Sequence, residues 1–482
     1  MMFLSLLMAV AAGFQLPAAT ETFNQPPIFQ DLPDIDLIRV DDTYYYSPGA
    51  TILRSYDLVN WEYLSHYLPS FDFNDPKFNL TKGGAYNGGV YASSLRYHKT
   101  QKNFYWLGLS RKTERPTFTQ RQRLKGRGRK HHLELLLLKK KESVFKSNQE
   151  LGYIEGSRFY KINGTYFLWL TNPGVGRGQI IVKSSGDVWG PYDSWHRILK
   201  NNGKPIEGSG SPHQGAFVET PEGDYWYMAF VELGTSGRFP VLAPLKWDEK
   251  GWPNVKLDSN GNWKSSYNYP LPRHNIKPVE GTFEFKEPKL PPRFEWNHDP
   301  NNDKWTTGPD GLVLYTATIT DDLFSAQNTL THRILGPQSN VTIELDYSSM
   351  VDGDRAGLVS LRYDAGWIGI VKDGSSTTLQ MVDNAAMDPD NSFVTTSKGN
   401  VIASKSISGG KIWLRCQIST VSPNRSTFLY STDGKTFVKL GQEHVTKQGG
   451  VWFTGTRHGI FNFATKKSGG HVVVKKFDIR LS

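Results

Sequence analysis

Four stretches of this chain share one pattern of polar and apolar positions: a polar turn, then an aromatic-rich apolar run. They are RVDDTYYYS from Arg39, YHKTQKNFYWLG from Tyr97, YKINGTYFLWL from Tyr160 and ETPEGDYWYMAF from Glu219. Their turns centre on Asp42, Gln101, Gly164 and Gly223, a period of about sixty residues, the length of one multi-stranded repeat. Each predicts a hairpin whose second strand is buried, and a repeated antiparallel unit of this kind predicts β-propeller blades. A β-sandwich with four similar hairpins is the alternative. The repeat fades after about residue 265, where a proline-rich stretch predicts a linker over 266–292. Beyond it, NVTIELDYSSM, AGLVSLRY, KIWLRCQIS and HVVVKKFDIRLS alternate apolar and polar residues between Gly, Asp and Ser turns. They predict a second all-β domain, a two-sheet sandwich over 293–482.

Composition adds to this picture in three places. At 482 residues the chain exceeds what one core supports, which agrees with two domains. The formal charge of +10 is local: residues 111–141 hold twelve Lys and Arg against Glu114 and Glu134, so this segment alone carries the chain's whole excess. A chain that is otherwise neutral by formal count weighs against a polyanion binder, and no nucleic-acid partner is expected. Cys416 is the single cysteine; it sits on the apolar face of KIWLRCQIS, so a buried, unreactive thiol is expected and the cores must hold without disulfides.

The N-terminus, MMFLSLLMAVAAGFQLPAAT, predicts a signal peptide over 1–19 and a secreted, extracellular protein, although no Lys or Arg precedes the apolar run; a short buried helix is the other reading. No other stretch is long enough to span a bilayer, so no membrane partner is expected. Sequons begin at Asn79, Asn163, Asn340 and Asn424 and predict surface glycan acceptors in a eukaryotic secretory pathway.

The acids that precede the repeats are the candidate chemistry. QDLPDIDLIRVDDTYYYS places Asp31, Asp34 and Asp36 before the first apolar strand, LGYIEGSRFYK places Glu155 before a later one, and GSGSPHQGAFVE does the same for His213. Polar residues that open successive blades converge on one axial pocket although they lie far apart in sequence. If the Asp34–Asp36 stretch is extended, the two carboxylates share a face and Asp36 braces the turn. Tyr44, Trp106 and Trp226 are expected in blade cores.

LPDIDLIRVDDTYYYS, LRSYDLVNWEYL, IEGSRFYKINGTYF, SPHQGAFVETPEGDYWYMAF and GRFPVLAPLKW resemble the motifs of glycoside hydrolase family 43 of the arabinofuranosidase and β-xylosidase type. RFEWNHDP, NTLTHRILGP and DGDRAGLVSLRYDAGWIGI are similar to the concanavalin A-like C-terminal domain of those enzymes. The resemblance runs from about Phe29 to the C-terminus and implies a five-bladed propeller over 25–265. It implies an inverting hydrolase in which Asp34 is the general base and Glu155 the general acid, on opposite faces of the sugar. His213 then helps form the floor of the pocket, and Arg238 lies beside the acids, where a guanidinium can bind sugar hydroxyls. The implied partners are arabinoxylan and xylo-oligosaccharides, with α-L-arabinofuranosidase ahead of exo-β-1,4-xylosidase. No cofactor is required, a structural calcium is open, and a monomer is expected.

The chain departs from the family pattern twice. The family carries a third carboxylate between base and acid that orients the acid and raises its pKa, yet no aspartate occurs between Asp75 and Asp187. In the place of that blade stands the basic segment 110–146, without alternation, Gly-Asp turn or aromatic strand. It reads as a mistranslated stretch, from a retained intron or a frame error, or as a lesion that leaves an impaired sugar-binding remnant. The second departure is YYYSPGATIL, shorter than its family counterpart, whose extra residues line the pocket.

Overall fold

The computed structural model describes residues 21–68, 70, 75–110, 119–122, 143–172, 178–184, 186–199, 203–448 and 454–481. The predicted signal peptide and most of the basic segment lie outside them. The described chain is all-β, with helix confined to three single 3₁₀ turns at Gly234–Ser236, Asn302–Lys304 and Leu323–Ser325. No helix among the described residues is long and apolar enough to cross a membrane.

Four antiparallel meander sheets follow one another through the first half. The first runs Leu37–Val40, Thr43–Tyr46, Thr51–Ser55 and Glu62–His66, and the second Val90–His98, Asn103–Ser110 and Thr119–Gln122. The third is Glu155–Ile162, Thr165–Asn172, Gly178–Ser184 and Ser194–Leu199, and the fourth His213–Glu219, Tyr225–Glu232, Arg238–Trp247 and Pro253–Val255. Each predicted hairpin is present. In the third, Ile162 pairs with Thr165 across Asn163 (φ 48°) and Gly164 (φ 83°), the doubly left-handed two-residue turn that matches strand twist. Tyr44 and Trp106 are fully buried and Trp226 nearly so, so the aromatic runs do form blade cores.

Two boundaries differ from the sequence reading. Thr119–Gln122, inside the segment read as foreign, pairs with Asn103–Ser110; main-chain hydrogen bonding at a sheet edge needs no apolar alternation. The 266–292 stretch contains two short strands: Ser266–Asn268 pairs with Thr22–Asn24, and Gly281–Phe283 pairs with Phe477–Ile479 of the second domain. Pro270, Pro272, Pro278 and Pro288 fall outside these three-residue pairings, where a missing N–H does no harm.

The second domain is a sandwich of a nine-stranded and a seven-stranded antiparallel sheet. Alternate residues such as Ile343, Leu414 and Phe477 face Leu358, Ile368 and Met381 across its core. Cys416 is fully buried there, and burial pushes its thiol pKa up, which makes it unreactive. The outer face of the seven-stranded sheet, with Val359, Trp367 and Phe461, is covered by Leu80 and Tyr86 from the loop between the first two propeller sheets. Tyr86 donates to the Phe324 carbonyl (2.7 Å), and Ala85 N–H donates to His298 Nε2 (3.0 Å). The two halves are thus interlocked through side chains of both.

One sequon is corrected by this interface. Asn424 is 1% exposed; its amide binds Ser236 Oγ (2.5 Å) and the Thr235 hydroxyl, so it has no room for a glycan.

Two buried histidines make the sandwich acid-sensitive. Burial pushes His332 down to about 3, and burial, with His332 nearby, holds His458 well below its ordinary value. A histidine depressed in the folded state gives its full stability above the unfolded pKa, near 6.5, and loses it as pH falls toward the folded value. The free energy of unfolding is expected to drop below pH 6.5, by up to about 1.4 kcal/mol per pH unit for each histidine. His458→Gln should flatten that slope; an unchanged slope would assign the acid sensitivity elsewhere.

Candidate active site

Asp34 lies in the loop before the first sheet with φ 55°, a left-handed conformation that aspartate tolerates better than most residues. The turn breaks the alternation that would have set Asp34 and Asp36 on one face. Asp34 is 8% exposed. Its Oδ2 accepts from Ala92 N–H of the second sheet (3.0 Å), and its Oδ1 meets Gln214 Nε2 (3.3 Å) and Arg238 Nη1 (3.4 Å) of the fourth. The third sheet completes the ring: Arg158 donates through Nη2 to the Asp34 carbonyl (3.2 Å) and through Nε to that of Ile35 (3.1 Å). Residues that head all four sheets therefore converge on Asp34.

The backbone is specialised at the same level. Register shifts occur at Tyr91/Ser94, Trp169/Thr171 and His213/Ala216, and bulges of this type re-aim side chains. Ala92 (φ 50°), Gln214 (φ 46°) and Gly156 (φ 61°) join Asp34 in the left-handed region. Such conformations cost about 1–3 kcal/mol each for non-glycine residues and collect where function requires a fixed geometry.

Glu155 pairs with Thr171, whose Oγ1 accepts from Gln214 N–H (3.0 Å). A Cβ on Gly156 would lie 2.8 Å from Gln214 Cγ, so glycine there leaves room for the amide that reaches Asp34. Through Thr171, Gly156 and Gln214, Glu155 is held beside the Asp34 cluster. Its carboxyl is exposed and makes no hydrogen bond or ion pair with the described residues.

His213 is half-buried; its Nδ1 lies 3.0 Å from the Ser211 carbonyl, and its ring packs edge-on against Phe230 at 4.6 Å. The Arg238 guanidinium lies over the same Phe230 ring at 5.0 Å and forms a second ion pair with Glu232 at 3.4 Å. His213 and Arg238 thus share one aromatic support. Among the described residues no group of three or more His, Cys, Asp or Glu could hold a metal ion.

The other two aspartates do different work. Asp36 is fully buried, accepts from Leu95 N–H (2.5 Å) and Arg96 Nη1 (2.8 Å), and pairs with Arg158 Nε (3.2 Å). It joins the second and third sheets rather than bracing its own turn. Asp31 points to the sandwich. Sequence reasoning missed Gln214 and Arg158: Gln214 adjoins His213 in SPHQG and Arg158 lies three residues past Glu155, but neither residue type signals a reacting group.

Comparison with known proteins decides the family. The glycosyl hydrolases family 43 model matches residues 105–253, and the β-xylosidase C-terminal concanavalin A-like domain model matches 282–480. A solved GH43 glycoside hydrolase, described as engineered at its active site to display both endo-xylanase and exo-arabinofuranosidase activity, is 31% identical and superposes with a TM-score of 0.86. The match covers 96% of this chain and 100% of that one. The chain belongs to glycoside hydrolase family 43. As a member of family 43 it is a glycosidase that hydrolyses O-glycosyl bonds. A β-xylosidase of Formosa agariphila is 25% identical over 95% of this chain and 90% of its own length. A non-reducing end α-L-arabinofuranosidase of Bacteroides ovatus is 24% identical over 71% and 74%.

Proposed function

We propose that this family 43 enzyme is a secreted α-L-arabinofuranosidase that removes arabinose from arabinoxylan with inversion. Asp34 activates water and Glu155 protonates the leaving oxygen. The convergence of all four sheets on Asp34, with Arg238 and Gln214 against one carboxylate oxygen and Gly156 leading to Glu155, carries this reading. Asp34 is held with both oxygens engaged, as suits a base that must aim one water at the anomeric carbon. Glu155 faces solvent, as suits an acid that meets a polymeric leaving group. Arg238 and Gln214 present fixed donors to sugar hydroxyls, and Phe230 supports Arg238 from beneath. The exo-arabinofuranosidase activity of the 31% identical enzyme, engineered at its active site, supports arabinose as the glycone.

A second reading, exo-β-1,4-xylosidase, is favoured by the β-xylosidase relative that matches nearly the whole chain. Aryl α-L-arabinofuranoside, aryl β-D-xyloside and arabinoxylan separate the two. Arabinose released from arabinoxylan, with the anomer inverted in the first product seen by NMR, is the expected result. Xylose from the aryl xyloside with no arabinose from the polymer would select the second reading, and retention of configuration would remove the assigned roles.

A further inference from the structure

The structure assigns Asp31 a positioning role: its buried carboxylate holds the main chain of Arg238 in register with Asp34 and ties both to the sandwich domain. The inference rests on the reading of Asp34 and Arg238 as parts of the catalytic centre. Asp31 is fully buried. Its Oδ1 accepts from Arg238 N–H (2.8 Å); its Oδ2 accepts from Gly455 N–H (2.7 Å) and lies 3.0 Å from Arg457 Nη1. Leu32 N–H returns to the Arg238 carbonyl (2.8 Å), so Asp31 and Leu32 grip both main-chain polar groups of Arg238. Three residues after Asp31, the Asp34 carboxylate meets the other end of Arg238 at 3.4 Å. Side chain and main chain of the arginine are thus both referred to one four-residue segment.

Two close approaches show that this fit is built in. Gly237 has φ 108°, and a Cβ there would collide with the Asp31 carboxylate; a Cβ on Gly455 would collide with the Ser236 carbonyl. Thr456 N–H donates to the Thr235 carbonyl (3.0 Å), and Asn424 Nδ2 donates to Ser236 Oγ (2.5 Å). The turn that leads into Arg238 is therefore seated on the sandwich. A carboxylate is required chemically, because all three of its partners are donors: two main-chain N–H groups and a guanidinium. An asparagine would turn its own donor toward one of them. The sandwich thus acts on pentose binding through Asp31.

The test uses the full chain and reads KM, the inhibition constant of the free pentose product, and the thermal midpoint. Asp31→Asn is expected to raise KM and the inhibition constant together by about tenfold, since a misplaced binding group weakens every complex it contacts. Arg457→Lys, which keeps a cation on the carboxylate, should stay within about threefold. On an Arg238→Ala background Asp31→Asn should add nothing to KM, because the group it positions is gone. A role confined to folding lowers the midpoint and the active fraction but leaves both constants at wild-type values, and that result overturns the proposal. If Asp31→Asn does not fold, Arg457→Gln carries the same test from the sandwich side. A wild-type chain without pentosidase activity removes the functional reading alone. Calorimetric titration with arabinose then still decides: equal affinity for wild type and Asp31→Asn would defeat the positioning role.

Discussion

Glu155→Gln is expected to slow arabinose release from arabinoxylan by about 10²–10⁴-fold, while hydrolysis of a dinitrophenyl arabinofuranoside falls far less. The contrast follows from what the acid does. A polysaccharide oxygen leaves as an alkoxide unless it is protonated in the transition state, whereas dinitrophenolate departs unaided. Asp34→Asn should instead remove activity on both substrates, because water must be activated whatever the leaving group is. The geometry supports the division. Asp34 is largely buried against Ala92 N–H, Gln214 and Arg238, while Glu155 stands at the exposed head of the third sheet. Steady-state rates of the two variants on the two substrates check this. Equal loss by Glu155→Gln on both would deny it the role of acid, and an active Asp34→Asn would deny Asp34 the role of base.

The same experiment bears on the absent aspartate. In family 43 the acid is served by a third carboxylate, and this chain has none between Asp75 and Asp187. Within the described residues no carboxylate makes contact with Glu155. Asp36 is already committed to Arg96, Arg158 and Leu95 N–H. A strong leaving-group dependence in the wild-type chain itself would be the signature of an acid that lacks its partner.

What could be read from the sequence divides along a physical line. Apolar alternation reports burial, and it located the hairpins whose second strands bury Tyr44, Trp106 and Trp226. Motif resemblance pointed to Asp34, Glu155, His213 and Arg238, and the structure sets Asp34 against Arg238 and links it to the Glu155 strand through Gln214. Conformation at single residues was not legible. The left-handed turns at Asp34, Ala92 and Gln214 are imposed by the sheets around them, not by local propensity, so the shared face assumed for Asp34 and Asp36 dissolved. Contacts between domains were equally hidden. Asp31 looked like a pocket acid and Asn424 like a glycan site because nothing local marks a residue as facing another domain.

A buried ion pair of the sandwich, set against the first propeller sheet, carries the second large effect. Arg333→Ala is expected to destabilise the folded chain by about 3–5 kcal/mol, the cost of leaving a buried ionic group without its partner. Arg333, on the Leu330–Arg333 strand of the sandwich, donates to Glu295 Oε1 (2.7 Å), to Thr51 Oγ1 (3.4 Å) and to the Asp31 carbonyl. Glu295 also accepts from Thr51 Oγ1 (2.9 Å) and lies 3.6 Å from His66 Nε2, both on the first propeller sheet. Burial alone would raise the Glu295 pKa; Arg333, with His66 and Arg457, overcomes it and holds the carboxyl well below its usual 4.5. The sign follows: stability from Glu295 is fully present above about pH 4.5 and is lost as pH falls through the folded value. The gap between wild type and Arg333→Ala in urea midpoints should therefore be widest near neutral pH and narrow below pH 4.5. Replacing both partners, Arg333→Met with Glu295→Met, should recover much of the loss, because an apolar pair leaves no charge stranded. A single variant as stable as wild type at pH 7 would show that this ion pair of the sandwich, and the contacts it makes with Thr51 and the Asp31 carbonyl, contribute little.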